Sequence, residues 1–173
     1  MSDADSIHSS RRENLIEHLF IGEVLRYLWC VGYKDADVLR AETDAGGYDV
    51  VIEANSVIRH IQLKSSAIDA KTARQKVNVE LWNKPSGCVI WIQFDGATIS
   101  LGPYKWYGAP AGDRLTTRSN PDTLPRAKHT KGNAQGEKIE RKNICVLNGG
   151  EFESIHTIED LVERLFGIPS QRS

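Results

Sequence analysis

This chain predicts a mixed α/β fold, with a central sheet of four to five strands flanked by helices. Three features carry the prediction: an apolar helical stretch near the front, an alternating hairpin behind it, and a continuous apolar run at Cys88–Phe94. With 173 residues, 40% of them hydrophobic, the chain is long enough for one such domain to build its own core.

The elements follow in order. Residues 1–11 are small and polar and read as a disordered tail, and residues 12–173 as a single domain. From Arg12 to Val31 the pattern is helical and apolar nearly all round (Leu15, Ile16, Leu19, Phe20, Val24, Leu25, Leu28, Trp29), so burial on more than one side is expected. Gly32 supplies the stop. Val38–Glu42 reads as a first strand, followed by a hairpin of 48–54 and 57–64 turning at Asn55-Ser56. Ser66-Ala67-Ile68-Asp69 has the form of a capping box, opening a second helix that runs to about Asn83 before Pro85. Cys88–Phe94 is apolar throughout, as a strand buried on both faces should be, and Ala97–Leu101 pairs with it across Asp95-Gly96. Residues 12–101 thus form the core. Residues 103–142 collect prolines 103, 110, 121 and 125 without periodicity and read as a long loop. Asn143–Leu147 and Glu151–Ile155 form a further hairpin, and Ile158–Phe166 a last helix capped by Thr157, completing the C-terminal part 143–168.

The hairpin carries the chemistry. A turn at Asn55-Ser56 sets Asp49 directly opposite Gln62, and opposed residues share a face with those two positions away, here Lys64. A carboxylate, an amide oxygen and an ammonium therefore converge, while Val50, Ile52, Ile61 and Leu63 point the other way. Divalent-metal phosphodiester chemistry needs such a set. Singly, each residue has a plainer use: Asp49 as a turn residue after Gly46-Gly47, Lys64 as a side chain snorkelling from a strand end. His60 shares the face and is more often structural.

Charge is uneven. Residues 103–142 carry nine Lys/Arg against four acids, a net of +5, which leaves −6 for the remainder. That asymmetry favours an anionic partner; the plainer reading is a solvated basic loop. Cys30, Cys88 and Cys145 are odd in number and far apart, and read as buried apolar residues in a reducing compartment. No apolar stretch approaches membrane-spanning length and no signal-peptide core is present, so a cytoplasmic protein without a membrane partner is expected.

Helix, strand, hairpin bearing Asp49 and then Gln62-Leu63-Lys64, helix, strand: over residues 12–101 this order resembles the PD-(D/E)XK nuclease superfamily, in the Gln-x-Lys form of its Mrr-like restriction endonucleases. The resemblance implies a restriction-endonuclease-like core and an endonuclease that hydrolyses DNA with Mg²⁺ or Mn²⁺. It implies Asp49 as the main metal ligand, with the Gln62 side-chain oxygen and the Leu63 carbonyl beside it, and Lys64 holding the attacking water or the developing charge. Gln62 departs from the carboxylate usual in the superfamily, and a neutral oxygen binds a hard cation less strongly. The resemblance also implies a helix glutamate. Among Glu13, Glu17 and Glu23, the helical wheel favours Glu23, set within the apolar face, over Glu17. For DNA contact the candidates are Lys71 and Arg74, on one face of the second helix with Asn78, and Lys128, Lys131, Lys138 and Arg141 of the basic loop. Tyr104-Lys105-Trp106-Tyr107 suits base stacking, core packing or a homodimer contact. Two other readings stay open. One is a non-catalytic nucleic-acid-binding or assembly module retaining the fold; the other is a scaffold that dimerises through 103–142.

Overall fold

The structure, a computed structural model, describes residues 3–129 and 138–170. A six-stranded mixed sheet occupies the middle, in the order β1-β2-β3-β5-β6-β9. Its strands are β1 (Asp37–Arg40), β2 (Val50–Ala54), β3 (Val57–Ala67), β5 (Gly87–Phe94), β6 (Leu101–Gly108) and β9 (Glu153–Ile155). β3 and β5 are parallel and every other neighbouring pair is antiparallel. Two helices, α1 (Asp3–Cys30) and α2 (Ile158–Phe166), cover one face and enclose Phe20, Val24, Ile52, Ile90 and Leu161. The other face is covered by a three-stranded sheet in the order β4-β8-β7, formed by β4 (Arg74–Asn78), β7 (Arg126–Lys128) and β8 (Glu140–Asn148). Val77, Trp82, Trp91, Cys145 and Leu147 fill that second core. β5 is buried on both sides, which is why its sequence is apolar without alternation.

Several expectations are corrected. α1 starts at Asp3, where a tail was expected up to residue 11. It buries one stripe, Ile16, Phe20, Val24, Tyr27 and Leu28, while Leu15, Leu19 and Trp29 face outward, Trp29 being 60% exposed. Cys30, expected to be buried, is exposed at the helix end. Cys88 and Cys145 are buried, and desolvation pushes both thiols up to about 11. The second helix does not form. Ser66, its expected cap, lies inside β3, where its hydroxyl accepts from Trp91 Nε1 at 2.8 Å. Residues 74–78 are a strand instead, and Val79–Asn83 is a single 3₁₀ segment. Lys71 and Arg74 therefore share no helix face. The loop expected at 103–142 begins as β6 and contains β7 and the start of β8. The last hairpin is split: β8 joins the small sheet and β9 the edge of the large one.

Gly47 fixes how the chain enters β2. Its φ of +75° is left-handed, and a Cβ there would stand 2.6 Å from the backbone nitrogen of Leu81 and 3.1 Å from the carbonyl carbon of Glu80. Gly47→Ala should lower stability by about 2 kcal/mol, because neither backbone contact can yield without moving the loop that carries Asp49. A denaturant midpoint equal to that of the parent would contradict this.

Candidate functional site

Asn55 and Ser56 both take positive φ, 51° and 60°, and form the tight turn of the β2–β3 hairpin. The ladder runs from Ala54↔Val57 to Val50↔Ile61. One residue further the regular pairing ends. The Asp49 N–H donates to the oxygen of Ile61, already the partner of Val50, so Asp49 does not continue the ladder across to Gln62. Its own carbonyl accepts from the Ala41 N–H, which ties it to the segment after β1 as well. Held on both sides, Asp49 sends its carboxylate to the backbone of β3, where Oδ2 accepts the Leu63 N–H at 2.6 Å.

This carboxylate opens into a cleft of about 520 Å³. It is lined by Glu13 and Glu17 of α1, by Arg40 and Asp49, by Lys64 and Ser65 of β3, and by Gln75 of β4. Asp49, Leu63 and Lys64 thus share one cavity. Gln62 does not line it. That residue is 6% exposed and lies under the small sheet, where Oε1 accepts the Asn78 N–H at 3.1 Å. Its amide oxygen serves to fix the end of β4.

The helix glutamates divide differently from the wheel. Glu23 accepts a hydrogen bond from the Tyr104 hydroxyl at 2.9 Å and is not among the cleft residues. Burial, reinforced by this carboxylate, pushes the Tyr104 hydroxyl far above its ordinary pKa. The wheel favoured Glu23 because it falls within the apolar face, and that is where it lies, against Tyr104; Glu13 and Glu17 line the cavity with Asp49. Glu17 is paired. Its Oε1 accepts from Nε and Nη2 of Arg40, both at 2.7 Å, and the same guanidinium lies 3.2 Å from His18 Nε2. His60 is structural, with Nδ1 2.8 Å from the Pro85 carbonyl oxygen and its ring edge-on to Tyr48.

Residues expected to meet an anionic partner gather on the small sheet, although the sequence placed them on two unrelated elements. Arg74 opens β4, Lys128 closes β7 opposite Glu140, and Arg141 lies in β8. Lys138 precedes β8 and is exposed, Lys71 is exposed before β4, and Lys131 falls outside the described residues. Sequence reasoning missed Lys76 and Lys142, also exposed here. In β4 the alternation of Gln75 and Val77 inward with Arg74 and Lys76 outward is the available signal, and reading a helix hid it. Tyr104, Trp106 and Tyr107 are buried, while Lys105 lies over the Trp91 ring at 4.6 Å, so this run is packed in place.

Among the described residues no group of three or more His, Cys, Asp or Glu side chains is placed to hold a metal. The cleft does hold hard oxygen donors, Asp49 and the α1 glutamates. Asp49 with one of those glutamates would give the one or two carboxylates that Mg²⁺ takes, water and phosphate completing its shell.

No protein-family model matches the chain, and no curated protein matches it. Among solved structures it is similar to Hjc, a Holliday junction resolvase from Archaeoglobus fulgidus. The likeness is at 11% identity and a TM-score of 0.38, and covers 86% of this chain and 97% of that one.

Proposed function

We propose that this protein is a metal-dependent endonuclease that hydrolyses DNA phosphodiester bonds, with a PD-(D/E)XK arrangement built on Asp49 and Lys64. The observation that supports it most is the shared cleft, in which Asp49, Lys64 and the α1 carboxylates meet beside a sheet whose outer side is basic. Asp49 and the backbone at Leu63, with Glu17 or Glu13 rather than Glu23, are the donors for Mg²⁺ or Mn²⁺. Such a cation, when bound, neutralises phosphate charge and acidifies a coordinated water. Lys64 holds that water or meets the charge that grows on the phosphate oxygens. Arg74, Lys76, Lys128, Arg141 and Lys142 contact backbone phosphates outside the cleft. Gln62 contributes by holding Asn78, and with it β4, against the site. The Glu17–Arg40 pair leaves cation binding weak until phosphate is present.

A second reading, a nucleic-acid-binding module without catalysis, has a specific observation in its favour: one cleft glutamate is neutralised by Arg40, and among the described residues no cluster of three ligands is formed. Incubating the full chain with supercoiled, linear and branched DNA under Mg²⁺, Mn²⁺ or EDTA separates the two. The nuclease reading expects cutting that needs the cation and is lost in Lys64→Ala while DNA binding persists. Binding without cutting by parent and variant alike would establish the module.

A further inference from the structure

Arg40 lines the cleft from the end of β1, with its backbone fixed and its charge already engaged. The strand pairs it with Val50, and the next residue, Ala41, donates its N–H to the Asp49 carbonyl. The guanidinium reaches across to α1. Nε and Nη2 both meet Oε1 of Glu17 at 2.7 Å, and Nη1 donates to Nε2 of His18 at 3.2 Å. That ring nitrogen is the acceptor because His18 Nδ1 lies 2.6 Å from the Asn14 carbonyl oxygen, which can only accept. Water still reaches the pair, since the Arg40 side chain is 48% exposed and that of Glu17 17%. An ion pair this open holds only weakly.

Two N–H groups thus occupy the oxygen that Glu17 would offer to a divalent cation, and the guanidinium repels a second positive charge from the same place. Yet the planar fork of an arginine fits a phosphate as well as a carboxylate. We propose that Arg40 is an exchangeable cation. It covers Glu17 while the cleft holds no DNA, and transfers to a phosphate oxygen when a strand enters, which uncovers the carboxylate for the metal. The proposal rests on the nuclease reading for its metal and substrate class, and deepens it. DNA and the divalent cation then favour each other's binding by the same factor, because each gains from moving the one guanidinium.

Mn²⁺ without DNA, and labelled duplex DNA in EDTA, test the two halves separately on the full chain. By calorimetry, Arg40→Gln should bind Mn²⁺ about tenfold more tightly than the parent. The gain should shrink to within about twofold when Glu17→Gln is combined with it, because it runs through that carboxylate and not through the charge of the cleft as a whole. In EDTA, Arg40→Gln should bind DNA more weakly, with a log–log salt slope smaller by about 0.9. Glu17→Gln alone should bind DNA more tightly at the parent's slope, its arginine being released. Arg40→Lys, which keeps the charge without the fork, should also keep the slope. Each variant should melt close to the parent, since the pair is exposed.

An Mn²⁺ affinity unchanged in Arg40→Gln, or raised equally when Glu17 is also replaced, would overturn the proposal. So would an unchanged salt slope, or loss of the folded state in Arg40→Gln and Glu17→Gln alike, either of which would make the pair a structural tie between β1 and α1. Cation-dependent cutting by a parent whose Arg40→Gln variant binds Mn²⁺ and DNA just as it does would sink this inference and leave the nuclease reading intact. The expected shifts in a parent that never cuts would sink the nuclease reading and keep the exchange.

Discussion

Arg59→Ala should destabilise the fold by about 3–5 kcal/mol and lower its melting temperature by roughly 10 °C. Arg59 is 1% exposed on β3 and, among the described residues, has no carboxylate partner. Its guanidinium instead binds three carbonyls: Nε donates to Leu165 at 2.7 Å, Nη1 to Ala109 at 2.9 Å, and Nη2 to Arg164 at 3.4 Å. Two of these oxygens belong to the last turn of α2, the negative end of that helix's dipole. Burial pulls the Arg59 pKa below its ordinary value, with the Cys88 thiol opposing that shift and Arg164 adding to it. The alanine variant removes a side chain that ties β3 to α2 and to the residue after β6, and leaves buried carbonyls unpaired. Arg59→Met keeps most of the volume and should recover part of the loss, whereas a melt within about 2 °C of the parent would show that the carbonyls find other donors.

The second large effect is on chemistry. Asp49→Asn should reduce the rate of DNA cleavage by about a thousandfold, equivalent to about 4 kcal/mol of transition-state stabilisation. The fold should survive, because an asparagine oxygen can accept the Leu63 N–H that Asp49 Oδ2 accepts now. Binding in EDTA should hold or tighten, since a negative charge leaves a cleft that must receive phosphate. Single-turnover cleavage, melting and anisotropy measured together separate these outcomes. A variant that cuts like the parent would remove Asp49 from the site.

Local signals served the hairpin and the central strand well. Asn55-Ser56 was legible because two adjacent residues at positive φ define a tight turn, and β5 because a strand buried on both faces has no polar face to show. The 66–83 segment misled for a physical reason. Its Ala, Lys, Arg and Gln residues favour helix on their own, but β4 is set by pairing with β8, far along the chain. Period-two burial at Gln75 and Val77 lay beneath that helical composition. Glu23 was singled out for its place within the apolar face of α1, and there it meets the Tyr104 hydroxyl while Glu13 and Glu17 line the cleft. Nothing in the sequence marks Arg40, since an arginine closing a short strand shows its helix partner only once the two elements are packed together.

The pairing of β4 with β8 also sets an order of events during synthesis. Asp49, Gln62 and Lys64 leave the ribosome early, and the glutamates of α1 earlier still. Gln75 follows soon after but has no strand to lie against until residues 140–148 emerge. The growing chain therefore displays the acidic wall of its cleft well before the cationic sheet can assemble. Contacts of such long sequence separation also form slowly once available.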